Sequence, residues 1–600
     1  MQASRAIKLQ DIAVPNNNII TKECFSNKLA TTSLNPAQIN RVEKDLSKNL
    51  MTEEESPLLS TNSSDPEALT PGRASSQNDI YDQYQETKSL WYMVLLTISI
   101  GGLQLAWSVE LSNGTPYLIS LGLSKSSMAL VWIAGPLSGT LVQPYVGMLS
   151  DKCRAPWGKR TPFIIFGSVA TIISLLTLAW VKEISLKFLG LFGVDSESQI
   201  SKDSVILVAV SMVYVLDFSI NTVQAGIRAF ILDCAPSHQQ ETANAMASRV
   251  IGIGNILGYV AGYVNLRHYF WFFGDSQFKI LCVIASITLA TTVLLSLSTI
   301  RERDPSKEVQ LVSDQAGILF FLRTLFLSIK RLPPLTRKVC EIQFFAWIGM
   351  FPQLFYSSSY IADIYVQPYL RSDPHMSKSE LDRLYEKATR VGTFALLIYA
   401  ITSLATNVFL PFFIAPTHDT STSKLFIPGF TLRKAWMLTQ LIFAACMFST
   451  IFVKTISAAT VLIGIVGICW ALSLWAPYAI ISAEVSKRDL LFRNSDASSC
   501  NTNLTNKTAE SSQDKAGVIL GIHNMSIAAP QIIATVASSI IFKFLQKPRG
   551  TPGDISFSVV LAFGGFSTLI AALLTSRMKD KTTFINEESC NEEPRKDRPY

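Results

Sequence analysis

The sequence predicts an all-α membrane protein in which twelve transmembrane helices form two six-helix halves around a central cavity. Three observations support this fold class: the overall composition, the number of long apolar runs, and a weak similarity between the two halves of the chain. Of 600 residues, 48% are hydrophobic and only 16% are charged. A water-soluble protein of this size does not bury that much apolar surface, so part of it must face lipid.

Twelve apolar runs are long enough to cross a bilayer, which takes about 20 helical residues. The first six lie at approximately 91–112, 127–149, 162–181, 205–233, 242–264 and 277–299. The second six lie at approximately 340–362, 391–414, 435–454, 457–481, 516–543 and 556–576. We call them spans 1 to 12.

Hydrophilic segments flank the two sets of six spans. We expect a disordered cytoplasmic tail at 1–88, a six-helix bundle at 89–300, a cytoplasmic loop at 301–339, a second bundle at 340–578 and a cytoplasmic tail at 579–600. The first tail has no apolar core preceded by positive charge, so it does not read as a signal peptide. Its acidic-dileucine pattern, Glu54 to Leu59, is the kind that sorting adaptors bind, although acidic tails also contain such patterns by chance.

Basic residues predict which ends of the spans face the cytoplasm. They cluster after span 2, in the central loop and before span 9, all on one side if the N-terminus is cytoplasmic. A loop expected at about 364–390 weakens the pattern because it is also basic. With this orientation, Asn113 is the glycosylation sequon that lies outside the cell, whereas Asn62, Asn503 and Asn506 lie inside.

Two short matches relate the halves. The residues 252–255 in span 5 resemble 521–524 in span 11, and 229–233 in span 4 resemble 479–484 in span 10. A repeated six-helix unit predicts a substrate path at the interface between the repeats.

Span 4 carries a polar stripe. Asp217, Asn221, Gln224 and Arg228 follow each other at helical spacing and share one face of the helix. Ionisable groups within a span are costly unless they face protein or water, so this stripe is a candidate cavity lining or, alternatively, a polar contact between helices.

Asp217 is the preferred proton-binding residue. It lies about 16 Å along the helix from Arg228, too far for a direct ion pair, and a carboxyl group without a cation in an apolar site binds protons readily. Glu110, near the outer end of span 1, is the second candidate, and it is equally consistent with a solvated charge. His523, inside span 11, reads as a buried hydrogen-bonding residue or a proton relay. Other candidates for the cavity lining are polar or aromatic residues within spans: Gln143, Trp107, Asn255, Trp347 and Asn524.

The loop after span 2 places an acidic residue before a basic cluster. Asp151 is followed by Arg154, Lys159 and Arg160. Together with Asp233 at the end of span 4, these residues predict a charge cluster that holds the cytoplasmic helix ends and acts in gating.

Several function classes are disfavoured. The nine cysteines show no zinc spacing, no phosphate-binding loop is present, and the basic residues form no nucleic-acid patch. We therefore expect no enzyme activity, metal, cofactor or nucleic acid, and a gradient instead of ATP as the energy source. A transporter-shaped sensor and a channel are the weaker alternatives, and a monomer is the expected state.

Three segments resemble the sucrose/proton symporters of the glycoside-pentoside-hexuronide type, in the major facilitator superfamily. They are 141–147, the loop 151–164, and the stripe from Leu216 to Ala229; the run 233–259 is most similar to fungal and animal members. The resemblance covers nearly all of 90–578. It implies a major facilitator fold and proton-coupled transport of sucrose or related α-glucosides. It also implies that Asp217 accepts the proton and that Arg228 is an essential charge.

Span 7 departs from the plant members. After Trp347-Ile348-Gly349-Met350-Phe351-Pro352 the chain lacks their acidic residues, and the next acid is Asp363. Maltose is therefore as good a candidate as sucrose, and sodium coupling remains an alternative to protons. We expect the plasma membrane as the location, with the vacuolar membrane as the alternative.

Overall fold

The computed structural model describes residues 87–302, 332–373, 376–414, 427–498 and 505–578. Within these ranges twelve long helices, α1 to α12, correspond in order to the twelve predicted spans. The first six are Leu90–Ser120, Ala134–Asp151, Thr161–Ala179, Gln199–Cys234, Gln240–Tyr263 and Gln277–Thr299. The second six are Pro334–Ser372, Lys378–Phe409, Leu432–Ser449, Ile456–Ser498, Thr505–Leu545 and Ser556–Ser576.

Hydroxyl side chains mark the starts of several helices. The side chains of Ser89, Ser198, Ser276 and Thr431 accept hydrogen bonds from backbone N–H groups in the first turns of α1, α4, α6 and α9. At α8, Ser377 and Glu380 form a reciprocal capping box. These caps satisfy donors that have no partner within the helix, and they fix where each helix begins.

Eight of these helices are individually long and apolar enough to cross a membrane: α1, α3, α4, α6, α8, α10, α11 and α12, searched over the described residues. The remaining four contain more polar residues or flanking charges. For example, α9 begins with Arg433 and Lys434, and α7 carries a Gln, Ser and Tyr series through its middle. Helices of this kind are tolerated when their polar faces contact protein.

One predicted loop is wrong. The expected loop at about 364–390 is largely helix, because α7 continues to Ser372 and α8 begins at Lys378. Charged residues expected in the loop therefore lie on helices, such as Asp382 of α8, which pairs with Arg549. The tail with its acidic-dileucine pattern, the sequons at Asn62 and Asn503, and most of the central loop lie outside the described residues.

The packing repeats with an offset of six helices. In the first half α1 packs on α4, α5 and α6, and α3 packs on α4 and α6; in the second half α7 packs on α10, α11 and α12, and α9 packs on α10 and α12. At Gly349 the two backbones of α7 and α12 come so close that a Cβ atom there would overlap the carbonyl oxygen of Gly564. Small residues permit such close packing in membranes.

The two halves meet along two equivalent pairs of helices. One junction joins α5 to α8, and the other joins α2, with the short helix Lys125–Val131 that precedes it, to α11. We call the end of the bundle where α1 begins the near face, and the end where α1 stops at Ser120 the far face. A repeated unit with these junctions leaves α1, α4, α7 and α10 facing one another at the centre.

Candidate functional site

Two buried carboxyl groups meet at the centre of the first half. Asp217 on α4 is 0% exposed and Glu110 on α1 is 4% exposed. Their carboxyl groups lie close enough to interact electrostatically, and none of their four oxygens has a hydrogen-bond partner among the described groups. Glu110 begins a π-helical turn, Glu110–Gly114, which is a local widening often found at functional sites.

Amide side chains surround this pair and bind one another. Gln143 Nε2 donates to Asn221 Oδ1 at 2.6 Å, and Asn221 Nδ2 donates to Ser138 Oγ at 2.7 Å and to the Asp217 backbone carbonyl at 2.9 Å. This network joins α2 to α4 directly beside the Asp217 carboxyl group. The predicted cavity residues Gln143 and Asn221 are therefore brought together with it.

A second network lies on α1. Trp107 Nε1 donates to Gln224 Oε1 at 3.2 Å, and Gln104 Nε2 donates to Asn255 Oδ1 at 2.8 Å. Ser108 also donates to Asn255, at 3.3 Å. Four helices of the first half, α1, α2, α4 and α5, thus present polar groups toward the centre, and their amide groups are already hydrogen-bonded.

Arg228 lies at the end of the polar stripe of α4, closer to the near face than Asp217 does. Its side chain is exposed and lies within electrostatic range of Tyr478 of α10, which belongs to the other half and is 37% exposed. Residues of opposite halves that are neighbours and yet exposed indicate water-accessible space between the halves. His523 of α11 packs edge-on against Tyr478 at 4.6 Å, and neither of its ring nitrogens has a hydrogen-bond partner among the described groups.

The predicted charge cluster forms around Arg160. Its guanidinium group is paired with Asp151 at the end of α2 and with Asp233 at the end of α4, the latter through Nε at 2.8 Å. Lys159 lies 3.6 Å from Asp233. Arg154 lies in the same loop and also has an interaction partner. The cluster joins α2, α3 and α4 within one half.

Glu302, beyond the end of α6, also binds the start of α3. Its carboxylate accepts hydrogen bonds from the backbone N–H groups of Arg160 and Thr161, the latter at 2.7 Å, and from the Thr161 hydroxyl. A carboxylate at a helix N-terminus accepts hydrogen bonds from backbone N–H groups that have no partner within the helix. Its negative charge also interacts favourably with the positive end of the helix dipole. In the second half, Glu484 of α10 caps the start of α7 in a similar way, through the backbone N–H of Thr336 at 2.7 Å.

At the far face a charge cluster joins the two halves. Lys125 Nζ lies 2.8 Å from Asp363 of α7 and 3.1 Å from Asp554, just before α12, and 4.0 Å from the centre of the Phe557 ring. The three charged side chains are only 12%, 17% and 7% exposed. Further hydrogen bonds join the halves here, from Ser126 to the Ser539 carbonyl at 2.9 Å and from Ser358 to the Ser112 carbonyl at 2.6 Å.

Asp554 remains ionised in this cluster. Burial raises the pKa of its carboxyl group, but Lys125 and hydrogen bonds from Ser556 and from the Lys547 backbone together bring the pKa below its ordinary value. The negative charge is therefore present at neutral pH, and the ion pair weakens only as the pH falls through this lowered pKa. The far face is thus closed by charge at neutral pH.

Other predicted residues lie elsewhere or in a different setting. Trp347 and Asn524 belong to the second half, where Trp347 is 8% exposed and Asn524 is half-buried. Asn113 is only 6% exposed and donates a hydrogen bond to Ser112 from within the π-helical turn, so its sequon is not accessible as expected. Sequence reasoning missed Lys125 and Asp554, since a single charge in a loop beside a span gives no signal of its partner.

The sequence is similar to curated transport proteins. A general alpha-glucoside permease of Schizosaccharomyces pombe is 33% identical over 565 residues, which cover 83% of this chain and 96% of that protein. A sucrose transport protein of Arabidopsis thaliana is 26% identical over 471 residues, covering 73% of this chain and 81% of that protein. The family model described as PUCC protein matches residues 120–318.

The fold is shared with solved structures of low sequence identity. A point mutant of the nucleoside transporter NupG matches with a TM-score of 0.55 and 11% identity, covering 82% of this chain and all of that one. A D-xylose-proton symporter matches with a TM-score of 0.52 and 14% identity, covering 82% of this chain and 99% of that one. At such identities the similarity concerns the fold alone.

Proposed function

Because the chain belongs to the sucrose and glycoside symporter family of the major facilitator superfamily, we propose that it carries sucrose, maltose or a related α-glucoside together with a proton. It is a multi-pass membrane protein and a secondary transporter. Transport follows alternating access, in which the halves open first toward one face and then toward the other. The termini lie in the cytoplasm, so the near face is cytoplasmic, and the plasma membrane is the proposed location, with the vacuolar membrane as the alternative.

The contact between Glu110 and Asp217 is the observation that carries the proton coupling. Two buried carboxyl groups this close to each other repel when both are ionised, which favours the binding of a proton by one of them, and none of their oxygens has a hydrogen-bond partner among the described groups. The pair therefore holds a proton at the centre of the fold, between the helices that move in transport. Asp217 is the acceptor that exchanges it, and Glu110 is the partner that retains it until the site opens to water.

The contacts between the halves support roles for the remaining candidates. The far face is closed by Lys125 with Asp363 and Asp554, whereas Arg228 is exposed near the cytoplasmic side. Asp151, Arg154, Lys159, Arg160 and Asp233 hold the helix ends of the first half together, so that the half moves as one body. Gln143, Asn221, Gln224, Trp107 and Asn255 line the path beside the proton pair.

Uptake of labelled sucrose and maltose into yeast cells without their own disaccharide carriers tests this function. The pH gradient and the sodium gradient are varied independently. Accumulation that follows the pH gradient and disappears with a protonophore supports proton symport. Accumulation that requires a sodium gradient would identify sodium, and not the proton, as the coupled ion. The absence of any sugar accumulation under either gradient would contradict the proposed transport function.

A further inference from the structure

Two buried aromatic donors of the second half lack hydrogen-bond partners within the described part of the chain, whereas the amide groups near the proton pair of the first half have them. In the first half, the amide groups beside the proton pair bind one another. In the second half, Trp347 Nε1 and Tyr399 Oη are buried without a hydrogen-bond partner among the described groups, although these residues are 8% and 5% exposed. A buried donor without a partner is unfavourable, and a ligand acceptor at that position removes the penalty.

The two donors belong to one aromatic cluster. The ring of Trp470 on α10 lies 5.5 Å from that of Trp347 on α7, at an angle of 72°, and 6.4 Å from that of Tyr399 on α8. Three helices of the second half thus contribute one ring each. Trp470 is half-buried, which leaves part of its surface accessible.

The position of Trp347 on α7 indicates which way the cluster faces. Trp347, Phe351, Phe355 and Ser358 follow at spacings of four, four and three residues and share one face of the helix. The two residues of this face that lie nearer the far face contact the first half. The Phe355 ring lies 4.7 Å from the ring of Trp132, and Ser358 donates a hydrogen bond to the Ser112 carbonyl. Trp347 therefore also faces the first half, roughly 16 Å closer to the near face.

That depth matches the second network, on α1. Because α1 and α7 run in the same direction, a residue eleven positions before Ser112 lies at the level of Trp347, close to Gln104 and its partner Asn255. The aromatic cluster and the amide network are thus opposite each other across the interface of the halves. A ligand between them meets hydrogen-bonded amides on one side, and rings with unpartnered donors on the other.

Resting on the function proposed above, we propose that Trp347, Trp470 and Tyr399 bind one sugar ring of the glucoside. The apolar face of a pyranose ring packs on an aromatic surface, and its hydroxyl oxygens accept hydrogen bonds from the indole N–H and the phenol O–H. The two halves then divide the work. The second half recognises the sugar, and the first half holds the proton.

The test uses Tyr399→Phe and Trp347→Phe, which keep a ring and remove the donor. Each is expected to raise the KM for sugar about five- to tenfold, the equivalent of one hydrogen bond, and to leave the pH profile of uptake unchanged. The matched control is Trp436→Phe. The Trp436 indole N–H is also buried without a partner among the described groups, but its ring packs in a separate core with Leu472 and Ala571, so its KM should stay the same.

Equal KM values for both variants and the wild type would overturn the sugar subsite, and so would an equal rise in the Trp436→Phe control. Sugar-dependent protection of the purified protein against heat provides a second readout that needs no transport. The variants are expected to show weaker protection, and undiminished protection would count against the subsite. A wild type that transports a glucoside alongside unaffected variants leaves the proposed function intact and removes this inference alone.

Discussion

Replacing Lys125 with methionine is expected to open the far face. Lys125 is held by Asp363 and Asp554, and all three side chains are at most 17% exposed. Removing one partner of a buried ion pair typically costs about 3–5 kcal/mol, because the remaining charge stays desolvated. The cluster joins the two halves, so this cost applies to the state in which the far face is closed. When the halves separate there, water solvates both carboxylates.

The partial exposure of the cluster favours the lower end of that range, about 3 kcal/mol. A change of this size shifts the equilibrium between the two states by roughly a hundredfold toward the state that is open at the far face. In the wild type, the lowered pKa of Asp554 keeps its carboxyl group ionised at neutral pH, so the ion pair that the variant lacks is present there. As the pH falls through that lowered pKa, Asp554 of the wild type becomes protonated and its ion pair with Lys125 weakens. The equilibrium of the wild type then shifts toward the state that is open at the far face, as in the variant.

A cysteine at Ser359 reports on this equilibrium. Ser359 is 3% exposed and lies one helical turn from Asp363. We expect a membrane-impermeant maleimide added outside intact cells to label Ser359→Cys much faster in the Lys125→Met background. The control is Lys279→Met, since Lys279 also binds two acidic residues, Glu183 and Asp275, but within one half. Equal labelling of the Lys125→Met variant and its parent would refute the gating role.

Three further outcomes are expected in the binding site. Asp217→Asn should abolish accumulation driven by a pH gradient while equilibrium exchange of sugar survives, and a variant that still concentrates sugar would place coupling elsewhere. Glu110→Gln removes the neighbouring acidic group while keeping the size of the side chain, so the pH profile of uptake should shift, whereas a purely structural role predicts lower protein levels with the same profile. Arg228→Gln should reduce uptake about tenfold or more, as for a lost charge-assisted hydrogen bond. Recovery of uptake in Arg228→Lys supports an electrostatic gate, and continued loss supports donor contacts to the sugar.

The helices were predictable because the signal is local. Eight of the described helices are individually apolar enough to cross a membrane, and the order of the spans along the chain indicates the two halves. The polar faces of α7 were harder to interpret. A loop was expected from about 364, whereas α7 continues to Ser372. Asp363 lies within the helix and binds Lys125, which is 238 positions earlier in the sequence.

The candidate site was predictable as a set of residues but not as an arrangement. Asp217 and Glu110 were identified separately, since each is an ionisable group inside a span. Their contact depends on how α1 and α4 are rotated about their axes, and a π-helical turn alters that rotation for α1. Trp470 and Tyr399 gave no signal at all, because aromatic residues are ordinary within spans, and their cluster is recognisable only from its position in the fold together with the unpartnered Tyr399 hydroxyl and Trp347 indole N–H.

The π-helical turn at Glu110–Gly114 acts like one extra residue inserted into α1, so it changes the rotation of the residues that follow about the helix axis. Deleting one residue from it would restore ordinary helix and rotate everything beyond by roughly 100° relative to the start of the helix. Gln104 and Trp107 lie before the turn and face the amide network, whereas Thr115 lies after it and donates to the Phe355 carbonyl of the opposite half. Glu110 therefore lies between a segment that contacts the amide network and a segment that contacts the other half at the far face. A change in the interactions of the Glu110 side chain therefore affects the position of both segments.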